Sequence, residues 1–144
     1  MDIYSTIFAL IIATHPGIAL ERAHDVASTI DDVATSTQEA VVLLTIADHE
    51  SSLRESVQDC SICTGPRCDH GNALGMWQIH RHFWAGHSRE EVCSDPVLAA
   101  RLSAEAWRKT GSWTAFSGCQ ADLGCKAADE LRALHERYAR KVAR

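Results

Sequence analysis

From Ala40 to Ala47 the chain reads AVVLLTIA, apolar at almost every position, whereas the segments around it mix apolar and polar residues at helical spacing. A helix that is apolar all round belongs inside a domain, with other elements covering it. Ser36, followed three residues later by Glu39, is a capping box, so this central helix is expected to begin near Thr37. Upstream, Ile3, Ile7, Leu10 and Ile11 recur on one helical face, and Pro16 and Gly17 end that pattern. A second helix is expected with Leu20, Ala23, Ala27, Ile30 and Val33 inward, and with Asp31 and Asp32 solvated. From Leu53 to Asn72 the period disappears and Cys, Gly, Pro and Asp accumulate, which reads as a long loop; loops of that length are usually functional. Ser88 with Glu91 caps a short helix, and Asp95-Pro96 opens a longer one through Leu98, Leu102 and Trp107 to Gly111. Trp113 to Phe116 predicts another short helix ended by Gly118. A last helix from about Lys126 carries Leu131, Leu134, Tyr138 and Val142 on one face. The expected fold is predominantly α, a buried central helix surrounded by helices, with a small irregular or β segment between Asn72 and His80.

At 144 residues the chain fits one domain spanning 1–144, long enough to bury about two thirds of its unfolded surface. Apolar content of 46% and charged content of 23% are those of a globular protein, and a net charge of -5 argues against a nucleic-acid partner. The apolar run from Ile3 to Ala13 falls short of the roughly 20 residues that span a bilayer and follows Asp2 rather than lysines. It reads as an ordinary helix, neither an anchor nor an export signal, so no stable membrane insertion is expected. Six cysteines permit up to three disulfides and point to work outside the cytoplasm. Without a leader, release by phage lysis or carriage in a virion is the expected route, and the protein is expected to be a monomer or part of a virion. One bridge is expected inside the long loop and one from Cys93 to the segment after Phe116. The competing reading joins Cys60, Cys63, Cys68 and His70 in a zinc knuckle.

Candidate chemistry sits where the central helix ends. After Asp48 and His49 comes Glu50, a carboxyl group carried from the core to the edge of the loop region. Burial disfavours the charged form, so the position is expected to keep Glu50 protonated near neutral pH and fit to act as an acid. The plain alternative is a solvated glutamate at a helix end. A metalloprotease HExxH motif is ruled out because Leu53 stands where the second histidine is required.

Taken in order, HESSL at 49–53, GMWQI at 75–79, DPVLAA at 95–100 and WTAFSGC at 113–119 resemble the lysozyme-like superfamily, in its soluble lytic transglycosylase and goose-type lysozyme branch. The resemblance covers residues 38–118. It implies a peptidoglycan glycosidase that cleaves the MurNAc-GlcNAc β-1,4 bond without cofactor or metal. Glu50 is then the catalytic acid and Ser51 helps to set it. Gly75, Met76, Trp77 and Gln78 bind the sugar chain, and Phe116 is the aromatic bordering the glutamate. The chain departs from the family at Phe116, which lacks the phenol hydroxyl usual there, and in its cysteine-rich loop. A single-glutamate transglycosylase closing a 1,6-anhydro ring is the first reading. In a hydrolytic muramidase a second carboxylate would be needed, with Asp59 the leading candidate ahead of Asp69 and Asp48; the Glu50-to-Asp59 gap resembles that of phage-type lysozymes, although Thr64 falls one place early. From a different class comes a non-catalytic glycan-binding or virion structural module. Trp77, Trp84 and Trp113 are open to either core packing or sugar stacking.

Overall fold

A computed structural model describes residues 1–54, 60 and 73–143. Among these residues the chain forms eight helices: α1 (Ile3–Thr14), α2 (Leu20–Val33), α3 (Thr37–Ser51), α4 (Arg81–Trp84), α5 (Arg89–Ser94), α6 (Pro96–Thr110), α7 (Trp113–Ser117) and α8 (Lys126–Val142). The expected α-rich architecture is present. No helix among the described residues is long and apolar enough to cross a membrane.

The continuous apolar run makes α3 the axis of the domain. Every residue from Ala40 to Ala47 is buried, including Thr45, whose hydroxyl donates to the Val41 carbonyl at 2.7 Å and so needs no partner outside its own helix. Helices α1, α2, α6 and α8 pack around it. Truncating Leu43 or Leu44, both fully buried, removes close-packed core volume of a kind that typically costs about 2–5 kcal/mol.

Local capping signals decide where the helices start. Ser36 Oγ accepts the Glu39 N–H at 3.1 Å. The reciprocal half of the expected box shifts by one residue, with Glu39 Oε1 accepting the Thr35 N–H at 3.3 Å while Oε2 takes Arg108 Nε at 2.9 Å from α6. The guanidinium lies closer than the N–H, and chiefly for that reason the Glu39 carboxyl is held below its ordinary range. At α5 the Ser88–Glu91 box is complete. Asp95 caps α6 through the Leu98 N–H at 3.1 Å, with Pro96 in the first turn and Gly111 left-handed at the end.

One expected core position lies elsewhere. Leu20 occupies the uncapped first turn of α2 and is 68% exposed; Val26 takes its place with Ala23, Ala27 and Ile30. The helical period holds from Ala23 onward, and the uncapped first turn is exposed at Leu20.

The expected irregular or β segment is a tight turn. Leu74 and Ile79 exchange N–H···O bonds of 3.0 Å in an antiparallel bridge around Gly75–Gln78. Trp77 pins the turn to the axis by donating its indole N–H to the Leu43 carbonyl at 3.0 Å. Trp77, Trp84 and Trp113 are 2%, 9% and 6% exposed, which resolves their two readings in favour of packing.

The cysteines pair as disulfides, but Cys93 pairs elsewhere than expected, and the expected bridge inside the long loop lies outside the described residues. Cys93 on α5 bonds Cys60, and Cys119 bonds Cys125 across the Gln120–Gly124 bridge. The turn before α8 folds back on itself and brings Cys119 to Cys125 locally, so Cys93 bonds Cys60 and not a cysteine after Phe116. A disulfide sulfur is not a thiolate ligand, which removes Cys60 from the proposed zinc knuckle. Cys63, Cys68 and His70, like Thr64 and the carboxylate candidates Asp59 and Asp69, lie outside the described residues.

Candidate active site

The position of Glu50 follows from how α3 stops. Ser52 and Leu53 both take left-handed backbone conformations (φ 53° and 61°), uncommon for residues with a side chain and held only when the surroundings enforce them. Ser51 supplies part of that enforcement: its buried hydroxyl donates to the Ala47 carbonyl at 2.7 Å and accepts the Leu53 N–H at 3.2 Å. Arg22 of α2 adds a bond from Nε to the Leu53 carbonyl at 2.8 Å, and Arg54 Nε bonds the Ser51 carbonyl at 3.0 Å. The Ser51 hydroxyl therefore shapes the helix end, bonded to Ala47 and Leu53.

Glu50 lies on the wall of a cleft of about 580 Å³. Gln78, Ile79, His80, His82 and Phe83 line it from the turn and α4, and Phe116, Ser117 and Gln120 from α7 and the segment after it, with Ser103 and Ala106 of α6 also lining it. The glutamate is not buried as expected, since 31% of its side chain is exposed. What adjoins it is an imidazole. His49 Nδ1 lies 3.1 Å from Glu50 Oε1, and His49 Nε2 lies 2.9 Å from Glu130 Oε2 on α8. The hydrogen bond to Glu50, assisted by the one to Glu130 and opposed by partial burial, raises the His49 pKa to about 9. At neutral pH the imidazole is a cation donating to Glu50 and Glu130. Lys126, one turn before Glu130, extends the chain of charges at 3.8 Å.

The remaining expected site residues divide by where their side chains point. Gln78 and Phe116 line the cleft with Glu50. Gln78 holds a left-handed conformation (φ 47°) and donates its amide to the Gly75 carbonyl at 2.8 Å, which fixes the side chain along the wall. Phe116 packs edge-on against Trp107 and Trp113. Trp77 contributes to the wall, although its ring is spent on the core. Gly75 serves as the left-handed corner of the turn (φ 72°) and is not among the lining residues. Met76 is buried and directed to the other side of the turn, where Arg22 Nη2 approaches its sulfur at 3.8 Å.

Asp48 also faces away from the cleft. Its Oδ1 pairs with His15 Nε2 at 2.9 Å and its Oδ2 accepts the Tyr138 hydroxyl at 2.7 Å. Burial, more than these bonds, pushes the Tyr138 phenol well above its ordinary range.

His49 and Glu130 are the residues that sequence reasoning missed. The histidine is visible in the chain as the neighbour of Glu50, but its partner is 81 residues away and carries no local signal. A larger groove of about 780 Å³ opens at the far end of α3, between Val41, Val42, Trp107 and Val142. Among its lining residues the one carboxylate, Glu39, is engaged by Arg108, and His135 is the other acid–base group there. No protein-family model matches this chain, and no curated protein or solved structure matches it.

Proposed function

We propose that the protein is a lysozyme-like peptidoglycan glycosidase that works outside the cytoplasm as a lytic transglycosylase, with Glu50 as both acid and base. One observation carries the reading: among the described residues lining the cleft, Glu50 is the only carboxylate. Cleavage of a glycosidic bond needs a proton for the leaving oxygen and something to stabilise the anomeric carbon. Two-carboxylate mechanisms divide these tasks between side chains, whereas a substrate bearing an N-acetyl group at C2 supplies the second function itself. Glu50 then donates its proton to the bridging oxygen as the bond breaks. In the closing step the resulting carboxylate takes the proton from the sugar's own C6 hydroxyl as that oxygen bonds to C1, forming a 1,6-anhydro ring and restoring the acid.

The walls suit such a substrate. Phe83 and Phe116 offer apolar faces to sugar rings, and Gln78 and Gln120 offer amides to hydroxyl and acetamido groups. The disulfides Cys60–Cys93 and Cys119–Cys125 are compatible with an oxidising compartment. Digestion of purified sacculi by the oxidised protein, followed by mass spectrometry, tests the reading. Muropeptides with 1,6-anhydro ends are the expected products. Free reducing ends would replace it with a hydrolase, and an absence of soluble products between pH 4 and 9 would replace it with a glycan-binding module.

A further inference from the structure

Glu50 is bonded through one oxygen only; among the described residues Oε2 has no protein partner, whereas Oε1 meets His49 Nδ1 at 3.1 Å. The imidazole is in turn held at its other nitrogen by Glu130, 2.9 Å away and on a different helix. Glu130 is not among the residues lining the cleft, and its side chain is 47% exposed. The cleft thus has a carboxylate–imidazole–carboxylate line running from its wall to the surface of α8.

We propose that Glu130 and His49 act together as a positioning and proton-holding pair for Glu50, with Glu130 setting which imidazole nitrogen exchanges a proton with the glutamate. This rests on the glycosidase reading of Glu50. The proton balance is simple. With the imidazole charged, Nε2–H donates to Glu130 and Nδ1–H donates to Glu50. When the Nδ1 proton crosses to Oε1, the imidazole becomes neutral and Glu50 becomes a carboxylic acid, with no change in net charge. Glu130 accepts only from an N–H, so it keeps the remaining ring proton on Nε2 and leaves the Nδ1 lone pair facing Glu50. Rotation of the carboxyl about its last torsion, a broad and low barrier, presents the acquired proton to the leaving oxygen. The proton recovered from the C6 hydroxyl returns the unit to its starting state.

The charged and titratable groups around the imidazole are consistent with this role. On α8 they are Glu130 and Lys126, and across the cleft His80 and His82 stand on the segment leading into and through α4. On α3 itself Asp48 is turned the other way and occupied by His15 and Tyr138. The faces that α6 and α7 present to the cleft, Ser103, Ala106, Phe116 and Ser117, carry no ionisable group. Two carboxylates therefore bear directly on one imidazole, in keeping with a proton retained to about pH 9.

The test uses the full oxidised chain and two readouts. In the first, the pH dependence of kcat on solubilised glycan strands is compared for wild type, Glu130→Gln and Glu130→Asp. The wild-type rate is expected to persist to about pH 9. Glu130→Gln is expected to draw the alkaline limb towards neutrality, with a loss of about tenfold at pH 8 and little change in KM, and Glu130→Asp to recover part of it. An unmoved limb in Glu130→Gln overturns the proposal. The second readout needs no activity: NMR titration of the His49 ring should give a midpoint that falls in both Glu130→Gln and Glu50→Gln. If wild-type protein cleaves no glycan, the function proposed for Glu50 falls, while this titration still decides the proton sharing. A His49 midpoint unchanged in Glu130→Gln overturns it.

Discussion

Asp48 and Glu50 stand two residues apart at the end of one helix, and each has a histidine among its partners, yet they belong to different parts of the molecule. An α-helix turns about 100° per residue, so a separation of two places their side chains on nearly opposite faces. Asp48 enters the seam between α1 and α8, where His15 and Tyr138 use both of its oxygens. Thr14 closes that cluster by meeting His15 Nδ1 at 2.9 Å. Glu50 meets the cleft with one oxygen bonded and, among the described residues, one left over. The contrast separates two uses of a carboxylate. With both oxygens occupied by the protein it ties helices together, and with one oxygen open at a cavity wall it faces whatever enters.

The sharpest way to break this contrast is to neutralise each carboxylate without changing its shape. Glu50→Gln is expected to lower glycan cleavage by about a hundredfold to ten-thousandfold, the range for losing a general acid, with the fold retained. Asp48→Asn should do the reverse. It weakens a charged hydrogen-bond pair and is expected to cost about 1.5–3 kcal/mol in urea unfolding, with cleavage in the native baseline within about threefold of wild type. Equal loss of activity in the two variants would show that the faces are not independent.

Alkaline pH sharpens the comparison from the side of the partners. The folded-state pKa of His49 is raised to about 9 from 6.5, so the protonated imidazole stabilises the fold fully below about pH 6.5, and that contribution disappears as pH rises through 9. The Tyr138 phenol, raised further by burial, stays neutral over the same window and keeps donating to Asp48. Stability measured by urea unfolding at pH 6.5 and pH 9.5 should therefore fall more in wild type than in His49→Gln. An equal fall in both would assign the loss to other groups.

How much of this was legible in the chain follows from the range of the interactions involved. Helix limits depend on neighbours a few residues apart, and Ser36, Ser88 and Asp95 marked three of them correctly because a cap is a local bond. The apolar run from Ala40 to Ala47 announced the buried axis for the same reason, and with it the place where Glu50 emerges. Side-chain direction in irregular segments was not legible. Met76 and Gln78 are two apart in one turn, and only the left-handed backbone at Gln78 decides that one lines the cleft while the other meets Arg22. Ser51 sits beside Glu50 in the chain but bonds backwards into its own helix. The pairing of Cys93 with Cys60 and of His49 with Glu130 depends on which helix lies next to which, and no spacing rule reaches that far.

The bond from the Trp77 indole to the Leu43 carbonyl gives the cleft a built-in clock. That proton is held in a side chain only 2% exposed, and its acceptor lies in the fully buried stretch of α3. Deuterium reaches it only when the Leu74–Ile79 turn lifts from the axis, carrying Gln78 with it. The exchange rate of this single indole proton should therefore report how often one wall of the cleft opens, separately from the slower exchange of the amides in the middle of α3. If a glycan strand seated along Gln78 holds the wall shut, exchange slows on its addition; an unchanged rate would mean that the substrate lies against the opposite wall.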